Sequence, residues 1–384
     1  MTANFFISGL SRSGTTLLEK LLHSHEEISV LSQPFPFLFR FLKQLFFQKI
    51  AYPPTYYVLN NLFMESRYSR SDLDTFLRSF KITADDLVKV FQQMNGFSGQ
   101  LTRQDDLYSI TDQFRTADVA TTFQYLIEKM TTKPTAIAGS KEINCEEFFE
   151  YFLYADIRCI NVIRDPRDVI TSLNIGDGTK YAGDHRPTLF HVRNWRKSVA
   201  FSLLFESHPH FLSIRYEDLV NNPLPELNKI CSFLGTTNFD RSILNNQLRD
   251  QHGMVWKPNS SFASRLQEGA VSKKSLGSFQ SFLTDEMIRF IEHTCLPEMH
   301  YFGYTSLNPS EAWLPISPLK EQFPITVKDL PSDLSADSLN LQNEMQRLAI
   351  FRKALEHPAQ VDNSDAKLFY LDTQVLAKLA SKGQ

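Results

Sequence analysis

The chain has 384 residues, is 42% hydrophobic and carries a formal net charge of −3. That length supplies one large core with room for a helical annex. The charge balance excludes a bulk electrostatic attraction to nucleic acid, so any anion site must be a local cluster.

The first predicted element is a buried strand, NFFISGL (4–10), followed by SRSGTT and then TTLLEKLLHSH (15–25), whose leucines fall at helical spacing. Strand, loop and helix in that order are what a phosphate loop needs, in which backbone N–H groups and the positive end of the helix dipole face one anion; an ordinary glycine turn capped by threonine is the other reading of the string. A triphosphate loop would carry Lys and then Ser or Thr after its second glycine. Here Thr15 and Thr16 follow Gly14, and the basic residue, Arg12, lies inside the loop. Arg12 is a permanently charged planar fork. With the two threonine hydroxyls it suits a single 5′-phosphate better than a γ-phosphate.

Residues 26 to about 135 read as mostly helical and rich in Phe and Tyr, with SRSDLDTFLRSF and TADDLVKVFQQM each opening on an N-cap signal. TTFQYLIEKM is a further helix, and TAIAGSKE (135–142) returns to strand character and ends in Lys141. CEEFFEYFLY is helical. DIRCINVIRD (156–165) is a strand, and PRDVITSL opens a helix with Pro at an allowed position. An amphipathic helix, a strand in HFLSIRYEDL and a helix stopped at Gly235 follow. Strands alternating with helices imply a three-layer α/β fold around a mostly parallel sheet. Polar residues at its strand ends would meet in one crevice. After Gly303-Tyr304 the chain turns Pro-rich, then ends with one expected amphipathic helix over 337–357. The expected organisation is therefore a domain over 1–305, with a helical cap inserted at about 34–134, and an extension over 306–384.

The four cysteines, Cys145, Cys159, Cys231 and Cys295, have no metal spacing and read as reduced core thiols. The N-terminal residues lack a basic n-region and a cleavage site, and no run of about 18 apolar residues is free of charge. A cytoplasmic protein with no transmembrane segment is expected.

Arg164 and Ser172 stand eight residues apart across a strand-to-helix turn. Together with GLSRSGTTLL, this pattern resembles the sulfotransferases that use 3′-phosphoadenosine 5′-phosphosulfate (PAPS). In its first loop the chain is similar to the arginine branch, which includes the protein-tyrosine sulfotransferases. The resemblance implies a P-loop-like fold and transfer of a sulfuryl group from PAPS to a hydroxyl or amine, leaving adenosine 3′,5′-bisphosphate. It assigns Ser11, Arg12, Ser13, Gly14, Thr15 and Thr16 to the 5′-phosphosulfate, and Arg164 and Ser172 to the 3′-phosphate. It places Tyr216 of IRYEDL near the donor, stacks Phe262 of NSSF on adenine, and makes Lys273 and Lys274 donors from a closing loop. Lys141 matches the lysine that stabilises the leaving group.

The pattern breaks at the general base. Gln33 occupies the place of the glutamate found in the tyrosine and heparan branches, and Ile143 that of the cytosolic branch's histidine. A neutral amide takes no proton at pH 7. Glu142, Asp184, His185 and His191 are the substitutes, with His185 favoured because imidazole titrates near neutrality. About 130 positions separate Arg12 from Lys141. That surplus is a cap over a bulky, apolar or lipid-like acceptor, a core-filling subdomain, or a membrane-surface helix at 35–47. A non-catalytic nucleotide-binding protein and a kinase are the rival functions, and a homodimer through the C-terminal helix is left open.

Overall fold

The structure, a computed structural model, describes residues 3–50, 69–94, 104–175, 183–244, 247–249, 254–257, 268–307, 309, 315–325 and 338–382. The chain begins with β1 (Ala3–Ser8), α1 (Thr15–His23) and β2 (Ile28–Ser32). Next come α2 (Pro36–Lys49), α3 (Arg70–Ser79), β3 (Lys81–Ile82), α4 (Ala84–Met94), α5 (Gln104–Asp112), β4 (Ala117–Asp118) and α6 (Val119–Met130). β5 (Ile137–Lys141), α7 (Phe149–Tyr154), β6 (Arg158–Ile163), α8 (Pro166–Asn174) and α9 (Thr188–Phe205) lead to β7 (Phe211–Arg215). The last strand is followed by α10 (Tyr216–Asn221), α11 (Pro223–Leu234), α12 (Phe279–Phe282), α13 (Asp285–Thr294) and α14 (Leu296–Tyr301). Three helices close the chain: α15 (Ser338–Glu356), α16 (Asn363–Tyr370) and α17 (Thr373–Ser381).

Five strands form one parallel sheet in the order β2-β5-β1-β6-β7. The chain leaves β1 toward β2 on one side and later builds β6 and β7 on the other. The carboxyl end of β1 is thus a topological switch point, where such sheets bind ligands. Side chains alternate across β1 as strand geometry requires. Phe5 and Ile7 enter the layer under α1, α10 and α11, while Phe6 enters the opposite layer. There Phe6 packs on Phe39, Phe123, Phe149 and Phe152, with centroids 4.8–6.0 Å apart.

Local chemistry accounts for several boundaries. Ser69 and Asp72 make a reciprocal capping box at α3. The Asp165 side chain accepts from Arg167 N and Pro166 takes N1 at α8. Gly235 ends α11 in the left-handed region, φ 77°. All four cysteines are free and buried.

Among the described residues, 26 to 135 is mostly helical as expected but also holds three short strands, and two other expectations are corrected. β2 is an edge strand of the main sheet, and β3 and β4 make a two-stranded antiparallel pair. β2 escaped because its first four residues are all buried, so it shows no two-residue alternation. The run 35–47 is not a membrane-surface helix: Leu38, Phe39, Leu42, Phe46 and Phe47 of α2 are buried in the core. No helix among the described residues is long and apolar enough to cross a membrane. The C-terminal region holds three helices, and Asp362 and Asp372 cap the two short ones. Their apolar residues, Phe351, Phe369, Leu376 and Leu379 among them, share the core cluster of α9 and α13.

Candidate functional site

The loop after β1 builds the first wall. Arg12 has φ 73°, and Gly14 caps α1 at φ 95°. A Cβ on Gly14 would stand 2.2 Å from Cδ2 of Tyr216, so the absent side chain is the space the ring fills. Ser11 N donates to Asn144 Oδ1 at 2.8 Å, and Asn144 N donates to Gly9 O at 3.0 Å. Asn144, itself at φ 55°, thereby fixes the loop to the segment after β5.

The second wall comes from the carboxyl end of β6. Arg164 is 6% exposed. Its guanidinium lies over the Tyr216 ring, 4.6 Å from the centroid. Nη1 donates to Arg12 O at 3.2 Å and Nη2 to Ser275 O at 2.5 Å. Nε is buried with no partner among the described residues. Ser172 lies on α8. Trp195 Nε1 donates to Arg164 O at 2.8 Å and holds the strand end in place. On the third side Tyr216 Oη and Ser275 Oγ pair at 2.7 Å.

These segments enclose a crevice of about 260 Å³. Ser11, Arg12, Gly14, Thr15 and Thr16 line one side, and Arg164, Ser172 and Tyr216 the other. Leu17, Gln33, Ile143, Trp256 and Ser275 complete it. Eight residues singled out from the sequence therefore meet at one place. Ser13 does not line it; its N–H bonds Leu10 O at 3.0 Å and the residue is 1% exposed.

Lys141 sits at the end of β5, 2% exposed. Its Nζ is 3.3 Å from Glu19 Oε2, 3.4 Å from Gln33 Oε1 and 3.5 Å from Thr16 Oγ1. Glu19 also accepts from Ser32 Oγ at 2.7 Å and pairs with Lys20 at 2.6 Å. An ammonium is only a donor, so it faces the oxygen of Gln33. Gln33 holds φ 46° in the turn after β2. Glu142 anchors that turn: its Oε1 accepts Phe35 N at 2.7 Å. Burial pushes the Glu142 carboxyl up to about 8.

Several candidates stand elsewhere. His185 does not line the crevice. Asn174 draws its neighbours back onto the end of α8, accepting Arg186 N at 3.0 Å and donating to Arg186 O at 2.8 Å. The His185 ring stacks on Phe323 at 5.4 Å. Asp184 pairs with Arg186. His191 is 2% exposed and bonds Asn174 Oδ1 at 2.9 Å, and burial pushes its imidazole down to about 3. Lys273 and Lys274 are exposed and do not line the crevice. Phe262 lies outside the described residues. Asn144, Trp256 and Ser275 carried no sequence signal, because their places depend on pairing between distant segments.

Known proteins share this sequence pattern. The model of the sulfotransferase family matches residues 4–241. The search of curated proteins finds no match. Among solved structures, the sulfotransferase domain from the curacin biosynthetic pathway is 20% identical, covering 76% of this chain and 96% of that one, with a TM-score of 0.42. The sulfotransferase domain from the Synechococcus PCC 7002 olefin synthase is 20% identical over 76% of this chain and 94% of that one, at a TM-score of 0.43. Mouse sulfotransferase SULT7A1 complexed with PAP is 12% identical over 75% and 81%, at 0.35.

Proposed function

The chain belongs to the sulfotransferase family, and from that premise we propose that the crevice holds PAPS and passes its sulfuryl group to a hydroxyl or amine of a small-molecule acceptor. The observation that carries the reading is the convergence of Arg12, Thr15, Thr16, Arg164, Ser172 and Tyr216 on one crevice. The residues fit a doubly anionic nucleotide. Arg164 lines the crevice and its buried Nε has no partner among the described residues, so that donor is still available to an acceptor. Thr15, where a triphosphate loop carries lysine, speaks against a kinase.

The donor supplies an activated sulfuryl group whose transfer rests on positioning and charge stabilisation. In this reading the 11–16 loop and Arg12 hold the 5′ end. Arg164 and Ser172 hold the 3′-phosphate, and Trp256 offers an aromatic wall for the base. Lys141, held by Glu19 beside Thr16, places positive charge at the loop's floor. Gln33 turns its oxygen to Lys141 and so presents its amide N–H₂ outward.

Calorimetric titration tests this, with adenosine 3′,5′-bisphosphate against ATP–magnesium, followed also by Trp256 fluorescence. Tight bisphosphate binding and no ATP response are expected. Arg12→Ala should weaken the bisphosphate by about 1.5–3 kcal/mol for each charge-assisted hydrogen bond it removes. Preference for ATP, or no response to either ligand, refutes the donor assignment. Turnover of labelled PAPS with an acceptor then separates an enzyme from a binder.

A further inference from the structure

Asp168 poses a problem of charge. It lies on α8 four residues after Arg164 and four before Ser172, which places it between the two residues given to an anion. It is 1% exposed. A buried carboxylate there would repel a phosphate unless its oxygens were already committed to other donors.

They are committed to one segment. Oδ2 accepts Gly277 N at 2.9 Å. Oδ1 accepts Ser278 Oγ at 2.9 Å and Phe279 N at 3.1 Å. Oδ2 is also 3.5 Å from Arg164 Nη2. The same Nη2 donates to Ser275 O, and Ser275 Oγ meets Tyr216 Oη. One carboxylate therefore joins α8, the Arg164 fork and the 272–279 segment. That segment begins with the exposed pair Lys273 and Lys274, where Ser272 Oγ accepts Lys274 N at 3.3 Å.

We propose that Asp168 is a positioning residue for 3′-phosphate recognition: it latches the 272–279 segment onto Arg164, so that the wall carrying Ser275 closes the crevice on its 3′-phosphate side, with Lys273 and Lys274 on the exposed start of the same segment. This rests on the donor assignment above. The latch has two consequences. It fixes the plane of the Arg164 fork, and planar forks lose most of their selectivity when misaligned. It also holds a short segment whose own secondary structure is little more than the single turn at Lys273–Ser275. Without the latch, Ser275 is what ties the segment to the crevice.

The test uses the full chain and the variant Asp168→Asn, with two readouts. Trypsin cuts after Lys273 or Lys274, and its rate there reports the latch with no nucleotide present. Calorimetry with adenosine 3′,5′-bisphosphate and with AMP reports the 3′-phosphate site. Asp168→Asn should speed cleavage at least about tenfold and weaken the bisphosphate at least about tenfold. AMP should weaken less than about threefold. A folded Asp168→Asn protein with unchanged cleavage, or with an unchanged bisphosphate-to-AMP ratio, overturns the proposal. If that variant fails to fold, Ser278→Ala decides, since it removes one half-exposed hydroxyl from the latch. Faster cleavage there supports the latch, and an unchanged rate overturns it. Wild-type protein that binds both nucleotides equally refutes the donor assignment itself. That failure is distinguishable from failure of the latch, because the cleavage rates involve no nucleotide.

Discussion

Gly14→Ala puts the contact between the phosphate loop and Tyr216 to a quantitative test. The residue sits at φ 95°, ψ 11°, a region that costs a side-chain-bearing residue about 1–2 kcal/mol. Its new Cβ would also lie 2.2 Å from Cδ2 and 2.7 Å from Cε2 of Tyr216. Carbon atoms prefer roughly 3.5–4.0 Å, so the ring or the loop must move by more than about 1 Å. Overpacking of that kind adds about 1–3 kcal/mol. Gly235 supplies the control: it has φ 77°, and a Cβ there meets nothing within 4 Å. Gly235→Ala should therefore cost about 1–2 kcal/mol in denaturant titrations, and Gly14→Ala about 2–5 kcal/mol. Because the displaced ring lies under Arg164 and bonds Ser275, only Gly14→Ala should weaken adenosine 3′,5′-bisphosphate. Tyr216→Ala in the Gly14→Ala background should cost less than the two changes summed. Equal costs at the two glycines, with equal nucleotide affinities, would sink the argument that the ring fills the space of the missing side chain.

Glu142 and Glu344 give predictions of opposite sign in pH. The Glu142 carboxyl, raised by burial to about 8, keeps its proton in the folded chain where the unfolded chain has lost it. Stability should therefore fall as pH rises from the ordinary glutamate range toward 8, with a slope approaching about 1.4 kcal/mol per pH unit. Glu142→Gln should be near neutral at pH 5, remove that slope, and be the more stable protein at pH 8; parallel curves for the two proteins would contradict this. Burial alone would raise the Glu344 carboxyl, but Arg196 and Arg193 outweigh it and hold the group at about 2. Its contribution is full above the unfolded glutamate pKa and is lost as pH falls toward 2. Glu344→Gln should cost about 3–5 kcal/mol at pH 7, and the loss should shrink at pH 3. A loss independent of pH would rule out the charge network as its origin.

What the sequence disclosed, it disclosed through local chemistry. The order of strand, Gly-containing loop and helix at 4–25 needs only neighbouring residues, and so does the turn from Arg164 to Ser172. Both lie on the crevice. The long Phe-rich insertion kept three readings because composition cannot say which face an apolar helix covers. The Phe6 cluster with Phe39, Phe123 and Phe152 shows that much of that surplus fills the core. The weight on His185 rested on the ordinary titration range of imidazole, which says nothing of position. Asn174 ties Arg186 to the end of α8, and His185 is not in the crevice lining. Residues that act by joining distant segments left no mark on the sequence. Asn144 meets Ser11 across 133 positions, and Asp168 meets Gly277 across 109.

The C-terminal helices bear on the crevice too, although they lie far from it in sequence. α9 presents Arg193 and Arg196 to Glu344 of α15, with Nε of Arg193 at 3.0 Å and Nη1 of Arg196 at 2.5 Å. Arg193 also bonds Asn340, and Arg196 bonds Thr294 O on α13. Arg347 of α15 pairs with Glu298 of α14. Two guanidiniums, each no more than 2% exposed, cannot be left unpaired in a core without a large cost. So α9 and α15 fold as one unit. One face of α9 carries Arg193 and Arg196, and between them Trp195 donates to Arg164 O. A helix whose one side is bonded to the C-terminal extension thus fixes, with its other, the strand end from which Arg164 enters the crevice. The C-terminal helices are on this account a structural support for the wall of the crevice.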